Sequence, residues 1–576
     1  MNRFRFLAFV ACFACKAAPE PMPPATPPVT LTFLAMNDFH GALYEKPIAD
    51  DPARAAGGLP WLVAAVESVR AEEPNLILLD GGDSFQGDWP VNASKGAGSV
   101  AAFELLKVDA AAIGNHEFDY GAGPEGTDPL HGALEFAALS RTQWLAANIQ
   151  QSTPSGLQPW APPGIAPWKM LEREGVRIAV IGLSTMETPQ TTLAKNVADL
   201  QFVDPVQAVR DLLPEVHAQG ADVVVVVAHL TGKCEPKSFF ETGPQCTPDG
   251  EIGRLLLELP RGAIDLLVVG HAHTLLAERV GDTFVLENRS QGQALGRVDL
   301  VVGPNGVDPD ASKLHSPWAL VHERVDPGCT GASYPLEARE VGGKMLSPSS
   351  KALELIRDLE QKAGGSLCDR VACAAEPLGR DRTQESEVGN LVADAMKAAY
   401  PEADFAIANS GGLRADIPAG DVRREQVFGV MPFDNRVEVV ELSGDKVLRL
   451  FRLGSSGAHG VLQVSGARYR FDPKGTNGED LDADGQVADW ERNRLCSATL
   501  DSGVIDPART YKVVTSDFLR GGGDHLGLAF QDAKVISEGP LLRDVIADYL
   551  KKQPACIGAP PLVNPKKPRI ESGECR

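Results

Sequence analysis

Residues 111–121, AAIGNHEFDYG, bring an apolar run to a stop and then set an amide, an imidazole and two carboxylates within the five positions Asn115 to Asp119. Such a set is either a polar loop or a strand end that delivers metal ligands and a catalytic acid. The question recurs along the chain. AMNDFHG carries Asp38 and His40, whose i, i+2 spacing puts both side chains on one side of an extended segment. LLDGGDSFQGD carries Asp83 after a Gly-Gly turn, VVAHLTG carries His229, and VVGHAHT carries His271 and His273. With His116, these motifs hold five of the eleven histidines. A mixed oxygen and imidazole set of this size is what two adjacent divalent first-row ions require: each needs several hard or borderline donors, and one carboxylate must bridge them. Zn²⁺, Mn²⁺ and Co²⁺ all accept such donors.

Taken singly, each motif has a plainer explanation. A histidine after a valine run is commonly a satisfied core residue, GHAH can be a turn, and Asp80 beside Asp83 can be a polar strand exit. The coincidence of five such sites is what points to a metal centre. The elements that must position them are six apolar runs rich in β-branched residues: LTFLAM, NLILLD, DAAAIG, RIAVIGL, DVVVVVAH and IDLLVVGH. Near-continuous apolar runs of this length predict strands buried on both faces with helices outside, and LPWLVAAVESVRAEE and DPVQAVRDLLPEV supply such helices. The first half is therefore α/β, and five of its six predicted strands end in candidate ligands.

The chain of 576 residues is long enough for two or more domains, and with 43% hydrophobic and 23% charged residues it is globular. A formal charge of −22 argues against nonspecific binding to a nucleic-acid polymer, so an anionic substrate needs a locally positive site. The first residues combine Arg3 and Arg5, an apolar run from Phe6 to Ala14 and a Pro-rich spacer over 16–30. The run is too short to span a bilayer and predicts an export signal over 1–15. FVAC and CFAC resemble lipoprotein processing sites, with Cys12 or Cys15 lipidated and held at a membrane; periplasmic, outer-membrane-anchored and freely secreted forms all stay open. Among the cysteines beyond the signal, the local pairs Cys234/Cys246, Cys368/Cys373 and Cys556/Cys575 are the expected disulfides, although spacing does not fix connectivity.

The expected organisation is a first domain over 31–330, a bridging helix within 346–365, a second domain over 366–555 and a Pro- and charge-rich tail over 556–576, loosely packed or pinned by a disulfide. In SPSSKALELIRDLEQKAGG a Ser-capped helix places Leu353, Ile356 and Leu359 on one face and ends at Gly364 and Gly365, which marks 349–363 as a candidate hinge. The second half mixes helical and strand patterns. DRTQESEVGNLVADAM carries Arg382 before a helix, and ANSGGLRADIPAG places Asn409 and Arg414 around a Gly-Gly turn; guanidinium groups suit bidentate phosphate binding. Phe433 in VMPFDNRVEVV and Phe518 in TSDFLRGGGDHLG could sandwich a nucleobase, and Asp524 could accept from ribose hydroxyls. DLDADGQVADWE fits a calcium loop, with Asp480, Asp482, Asp484 and Glu491 as oxygen ligands of a structural Ca²⁺.

The ordered set DFH, GGDSFQGD, GNHEFD, VVAH and GHAHT resembles the calcineurin-like metallophosphoesterases, and within them the 5'-nucleotidase family. The resemblance covers residues 32 to about 300 and, through Arg382, Asn409, Arg414, Phe433, Phe518 and Asp524, roughly 366 to 550 of a nucleotide-binding domain. It implies a four-layer αββα domain followed by a second α+β substrate-binding domain. One ion would take Asp38, His40 and His273, the other Asn115, His229 and His271, with Asp83 bridging. His116, oriented by Asp119, would face the phosphoryl group and either stabilise its charge or protonate the leaving oxygen, while Glu117 and Phe118 support the packing. The second domain would give base stacking by Phe433 and Phe518, ribose contact by Asp524, and phosphate contact by Asn409, Arg382 and Arg414, with domain rotation closing both halves on one ligand. NSGGLR departs from the commoner NGGGIR, and Ser386 stands where some relatives have a disulfide cysteine. The expected activity is release of phosphate from nucleoside 5'-monophosphates, and of di- and triphosphates in a broader form, with no protein partner. The alternatives are a diphosphatase of UDP-sugars or dinucleotides, a 2',3'-cyclic phosphodiesterase, a thiosulfohydrolase of the same superfamily, and a non-catalytic surface-binding protein.

Overall fold

The structure, a computed structural model, describes residues 27–48, 51–121, 140–232, 234–235, 245–246, 250–324, 336–363, 369–483 and 485–575. The export segment and Cys12 and Cys15 lie outside these residues.

All six apolar runs form strands. Val29–Met36, Ile77–Asp80 and Ala110–Ala112 lie side by side and parallel in an eight-stranded sheet, continued by Gln143–Leu145 and Ile165–Ala166. On the other side Ala294–Gly303 runs antiparallel to Val29–Met36 and carries the edge strand Gly306–Leu314, an addition that no ligand motif announces. Val176–Ser184, Val223–His229 and Leu266–Gly270 are the parallel centre of a six-stranded sheet. The sheets face each other across one core, in which Phe33, Leu79 and Ala110 meet Ile178, Val225 and Val268. Helices Leu59–Glu72 and Ala97–Leu106 cover the first sheet, and Pro205–Ala218 and Glu251–Glu258 cover the second, completing four αββα layers. Pro205 stands at the first turn, where its missing N–H costs nothing, and Asp204 caps that turn by accepting from Val206 N at 2.9 Å.

The helix Ser350–Ala363 forms as its periodicity predicts, but it does not stand free between domains. Ala352, Ile356 and Leu359 join Trp61, Val100 and Phe103 in the core of the first domain, so this helix belongs to that body. An apolar stripe with a complementary core beside it is buried.

In the second domain a five-stranded sheet runs in the order Leu462–Ser465, Phe405–Asn409, Thr510–Ser516, Arg436–Ser443 and Lys534–Leu541. Helices Glu387–Ala399 and Leu542–Lys551 pack on one face and Gly444–Gly454 on the other. Ser386 caps the first of these helices, accepting from Gly389 N at 3.1 Å. The tail is integral: Ile570–Ser572 pairs in parallel with Ala467–Phe471, and Arg569 holds Asp394 at 2.7 Å.

The disulfides correct two expected pairings. Cys373 bonds Cys556 and Cys496 bonds Cys575, so Cys368/Cys373 and Cys556/Cys575 do not form. Strand pairing brings distant cysteines together, and both bonds tie the tail to the body. Cys368 lies outside the described residues. The backbone strands Cys234–Glu235 and Gln245–Cys246 pair with Cys234 opposite Cys246.

Candidate active site

The predicted donors converge where the parallel strands of the two sheets end. Asp38 and Asp83 are fully buried or nearly so, with Asn115 and His229, while His271 and His273 are partly open to solvent. Two sets of ligand atoms form. In one, His273 Nε2 lies 3.2 Å from Asp38 Oδ1 and 3.2 Å from His40 Nε2. In the other, His229 Nε2 lies 3.2 Å from Asn115 Oδ1 and 3.1 Å from His271 Nδ1, which is itself 3.2 Å from Asn115 Oδ1. Asp83 Oδ2 stands between them, 3.0 Å from His229 Nε2 and 3.9 Å from His40 Nε2. Donors bound at about 2.0–2.2 Å from one ion stand roughly 3 Å or slightly more from each other, as these do.

Neighbouring carbonyls set the tautomers. His40 Nδ1 faces Gln86 O at 3.1 Å and His229 Nδ1 faces Gly81 O at 3.1 Å. A carbonyl accepts, so each Nδ1 carries the proton and each Nε2 turns a lone pair into the site. The backbone is equally committed: Asp38, His40, Asp83, His271 and His273 all have φ between 47° and 103°. Asp and His tolerate this region better than most residues, but five such positions at one site are strain held in place by the fold. Gly114 is required by close approach, because a Cβ there would fall 2.2 Å from Asp83 Oδ1.

The pocket favours positive charge. Burial opposes a charge on His229, yet Asp83 and Asp38 push its pKa up to about 10, a demand for positive charge that a proton on Nε2, or a metal ion in its place, would meet. His271, with burial and the neighbouring His229 against it, is pushed down to about 3 and stays a neutral donor. Two buried carboxylates, an amide oxygen and inward lone pairs therefore fit two divalent cations of the first row.

His116 sits beside these donors. Its Nδ1 donates to Asp119 Oδ2 at 2.6 Å, and its Nε2 lies 3.9 Å from Asp83 Oδ2. Burial disfavours the imidazolium, but Asp119 and Asp83 outweigh it and hold His116 above the usual imidazole range. Glu117 binds backbone: Oε1 accepts from Ser84 N at 2.5 Å, and Oε2 from Gly114 N at 2.6 Å and Asp83 N at 3.1 Å. It thereby fixes the turn that carries Asp83.

The second domain reaches this pocket. Phe433 stacks on His116 with ring centroids 5.7 Å apart and planes at 24°, and the Arg414 guanidinium lies 5.9 Å from the Phe433 ring. Asn92 Nδ2 donates to Pro432 O at 2.9 Å, and Trp89 packs edge-on against Phe428. Asn409 and Asp524 meet in a neighbouring cleft, Asn409 Nδ2 donating to Asp524 Oδ2 at 2.7 Å, with His459 Nδ1 3.9 Å from Asp524 Oδ1. Burial pushes the Asp524 carboxyl up to about 6, against the Asn409 amide and the Arg382 charge. Phe433 and Phe518 do not meet: Phe518 packs over Gly523, where a Cβ would fall 2.4 Å from its ring. Arg382 is exposed and acts on this cleft through its charge.

In the acidic loop, Asp480, Asp482 and Glu491 bring carboxylate oxygens within 4.8 Å of one another; Asp484 lies outside the described residues. Gly485 N donates to Asp480 Oδ2 at 2.9 Å, and buried Glu491 accepts from Ala488 N at 2.8 Å. The flanks are the strands Ala467–Phe471 and Leu495–Leu500, not paired helices.

Sequence reasoning missed Thr192, His459 and His525. Thr192 Oγ1 donates to Asp119 Oδ1 at 2.9 Å. His525 stacks on Trp490 at 4.7 Å and lies 5.0 Å from His459. No local pattern marks them, since their partners are distant in the chain; GGGDHLG could have drawn attention to His525.

Residues 31–275 match the family described as calcineurin-like phosphoesterase, and residues 370–532 match the 5'-nucleotidase C-terminal domain. A 5'-nucleotidase of Vibrio cholerae is 24% identical over 94% of this chain and 94% of its own. In structure, a 5'-nucleotidase precursor from Thermus thermophilus matches with a TM-score of 0.72 at 24% identity, covering 94% of this chain and 99% of that one. The sulfate thiohydrolase SoxB of Thermus thermophilus also matches, with a TM-score of 0.68 at 18% identity over 96% and 99%. The chain belongs to the two-domain 5'-nucleotidase family of calcineurin-like phosphoesterases, and it is a metal-dependent phosphoesterase of the nucleotide phosphohydrolase class.

Proposed function

We propose that the protein is an exported enzyme that releases phosphate from nucleoside 5'-monophosphates. The observation that carries this reading is the seating of Arg414 and Phe433, from the second domain, over His116 beside the metal donors. A phosphate drawn to those donors comes within reach of a guanidinium, and the rest of the ligand is led toward Asn409 and Asp524. Asp38, His40 and His273 would hold one ion and Asn115, His229 and His271 the other, with Asp83 between them. When bound, the ions neutralise the phosphoryl oxygens and acidify the attacking water. His116 offers its Nε2 proton to the phosphoryl or leaving oxygen, Asp119 keeps the ring oriented through Nδ1, and Arg414 takes up charge on the phosphate. Asp524 accepts from ribose, and Phe433 and Phe518 take the base between them, movement of the second domain freeing Phe433 from His116.

Export is supported by two disulfides, which persist in oxidising compartments. No helix among the described residues is long and apolar enough to cross a membrane. The loop of Asp480, Asp482 and Glu491 is proposed to take a structural Ca²⁺ that stiffens the insertion. A thiosulfohydrolase would have no use for the Asn409–Asp524 cleft, and a non-catalytic scaffold no use for a full set of oriented donors. The test follows phosphate from AMP, UMP and glucose 1-phosphate from UDP-glucose, and 4-nitrophenol from bis(4-nitrophenyl) phosphate, each with Mn²⁺ and with EDTA. Metal-dependent release from AMP is expected, and relative turnover of UDP-glucose measures breadth. Cleavage of the base-free ester alone would overturn the nucleotide reading and leave the phosphoesterase standing.

A further inference from the structure

The Asp119 carboxylate has two oxygens to satisfy, and only Oδ2 is used by His116. The other, Oδ1, accepts from Thr192 Oγ1 at 2.9 Å. A hydroxyl has one proton to give, so this bond commits the threonine to Asp119 and stops the carboxylate from rotating about its own axis. Thr192 is 2% exposed, which leaves little room for water to substitute for it. Its β-branched side chain is stiff, and its backbone is pinned because its N–H donates to Thr188 O at 3.1 Å. We propose that Thr192 is a positioning residue for the His116–Asp119 pair, an inference that rests on the phosphoesterase reading of those two residues.

The segment that carries Thr192 is tied to the site on several sides. Thr191 O lies 3.4 Å from Asn115 Nδ2, and Asn196 Nδ2 donates to Phe118 O at 2.8 Å. The short helix Thr188–Thr191 also lies against Gly523–His525, and Lys195 Nζ stands 3.8 Å from Asp517 Oδ2. One stretch of the first domain thus touches a candidate metal donor, the proton-transfer pair and the loop bearing Asp524. Through it, the seat of the second domain bears on the orientation of His116.

The test compares Thr192→Val, which keeps shape and loses the donor, with Thr192→Ser, which keeps the donor. Turnover is measured on AMP and on bis(4-nitrophenyl) phosphate, with bound metal counted by mass spectrometry. Loss of a hydrogen bond to a charged group predicts a kcat about ten- to a hundred-fold lower for the valine variant on both substrates, with KM and metal content near wild type and most of the loss restored by serine. A readout independent of turnover is the low-field proton resonance of His116 Nδ1–H, assigned by its absence in His116→Ala. It should shift or broaden in Thr192→Val and persist in Thr192→Ser. Wild-type kcat and an unmoved resonance in the valine variant, or a serine variant as impaired as valine, would overturn the proposal. A loss of kcat explained by lost metal would do so as well. Should wild type cleave the ester and not AMP, the nucleotide reading falls while the ratio between variants still decides the role of Thr192.

Discussion

The candidate donors and the proposed nucleotide contacts are held differently in the two domains. In the first, Asp38, His40, Asp83, Asn115 and His229 are buried, and carbonyls, glycines and Glu117 leave the site little freedom to rearrange. In the second, Arg382 is exposed, and Arg414, Phe433, Phe518 and Asp524 are half-buried on turns and short helices. The contrast matches the tasks. Ions and a phosphoryl group demand fixed distances, so strain at five donor positions is tolerated for preorganisation. A nucleoside offers a flat face and a few hydroxyls, which side chains on turns can meet, and of these contacts Asp524 alone has a positive φ, 53°. The distinction predicts that changes in the first domain abolish turnover, whereas changes in the second shift affinity.

The sharpest break is Asp83→Asn. Removing the charge between the two donor sets should lower turnover of every substrate on the order of a thousand-fold or more, with metal lost, and EDTA should act likewise on wild type. Retained turnover with one ion per chain would show that Asp83 does not serve both sets. Next in size is His116→Ala, expected to reduce kcat about a hundred- to ten-thousand-fold while metal content stays near wild type. Metal loss in that variant would move His116 from proton transfer into ligation.

The first domain was largely legible in the sequence because each strand and its candidate donors are contiguous: VVVVVAH declares both a buried strand and His229 at its end. The positive φ of Asp38 or His271 was not legible, since it is imposed by turns whose partners lie far along the chain. Connectivity failed for the same reason. Cys373 and Cys556 are 183 residues apart, and locality favoured a neighbour instead. The helix Ser350–Ala363 was legible as a helix, but its periodicity could not say which core would take its apolar stripe. In the second domain the residue types were readable, whereas the stacking of Phe433 on His116 depends on how two bodies meet and leaves no trace in local pattern.

A smaller effect separates stacking from chemistry. Phe433→Ala with Phe518→Ala should raise KM for AMP about ten- to a hundred-fold, the range expected for lost base–aromatic stacking, and leave KM for bis(4-nitrophenyl) phosphate nearly unchanged. Equal losses on both substrates would mean that the rings support the pocket rather than the base. In this structure Phe433 contacts His116, so closure must move it. Crosslinking the domains in the present arrangement, through cysteines introduced at Asn92 and Pro432, should therefore weaken AMP more than the base-free ester.

The smallest expected effect lies in the pH dependence of nucleoside binding. Asp524 is pushed up to about 6 by burial, and the groups facing it are the Asn409 amide, the Arg382 charge and His459, itself pushed down to about 4 by burial and Arg382. In the proposed role the ionised carboxylate accepts from a ribose hydroxyl, and protonation removes that capacity. Affinity for the nucleoside is therefore full above the Asp524 pKa and falls as pH drops through about 6. Because His459 remains neutral until nearer 4, it does not contribute in that window. The inhibition constant of adenosine, which lacks the phosphate that itself titrates at about pH 6, should rise several-fold, roughly the worth of one hydrogen bond, between pH 7 and 5. Asp524→Asn, which cannot titrate, should have a raised inhibition constant for adenosine at pH 7 and lose the pH dependence. A persisting slope for adenosine in that variant would move the titration from Asp524 to another protein group, and the two domains would no longer divide chemistry from recognition.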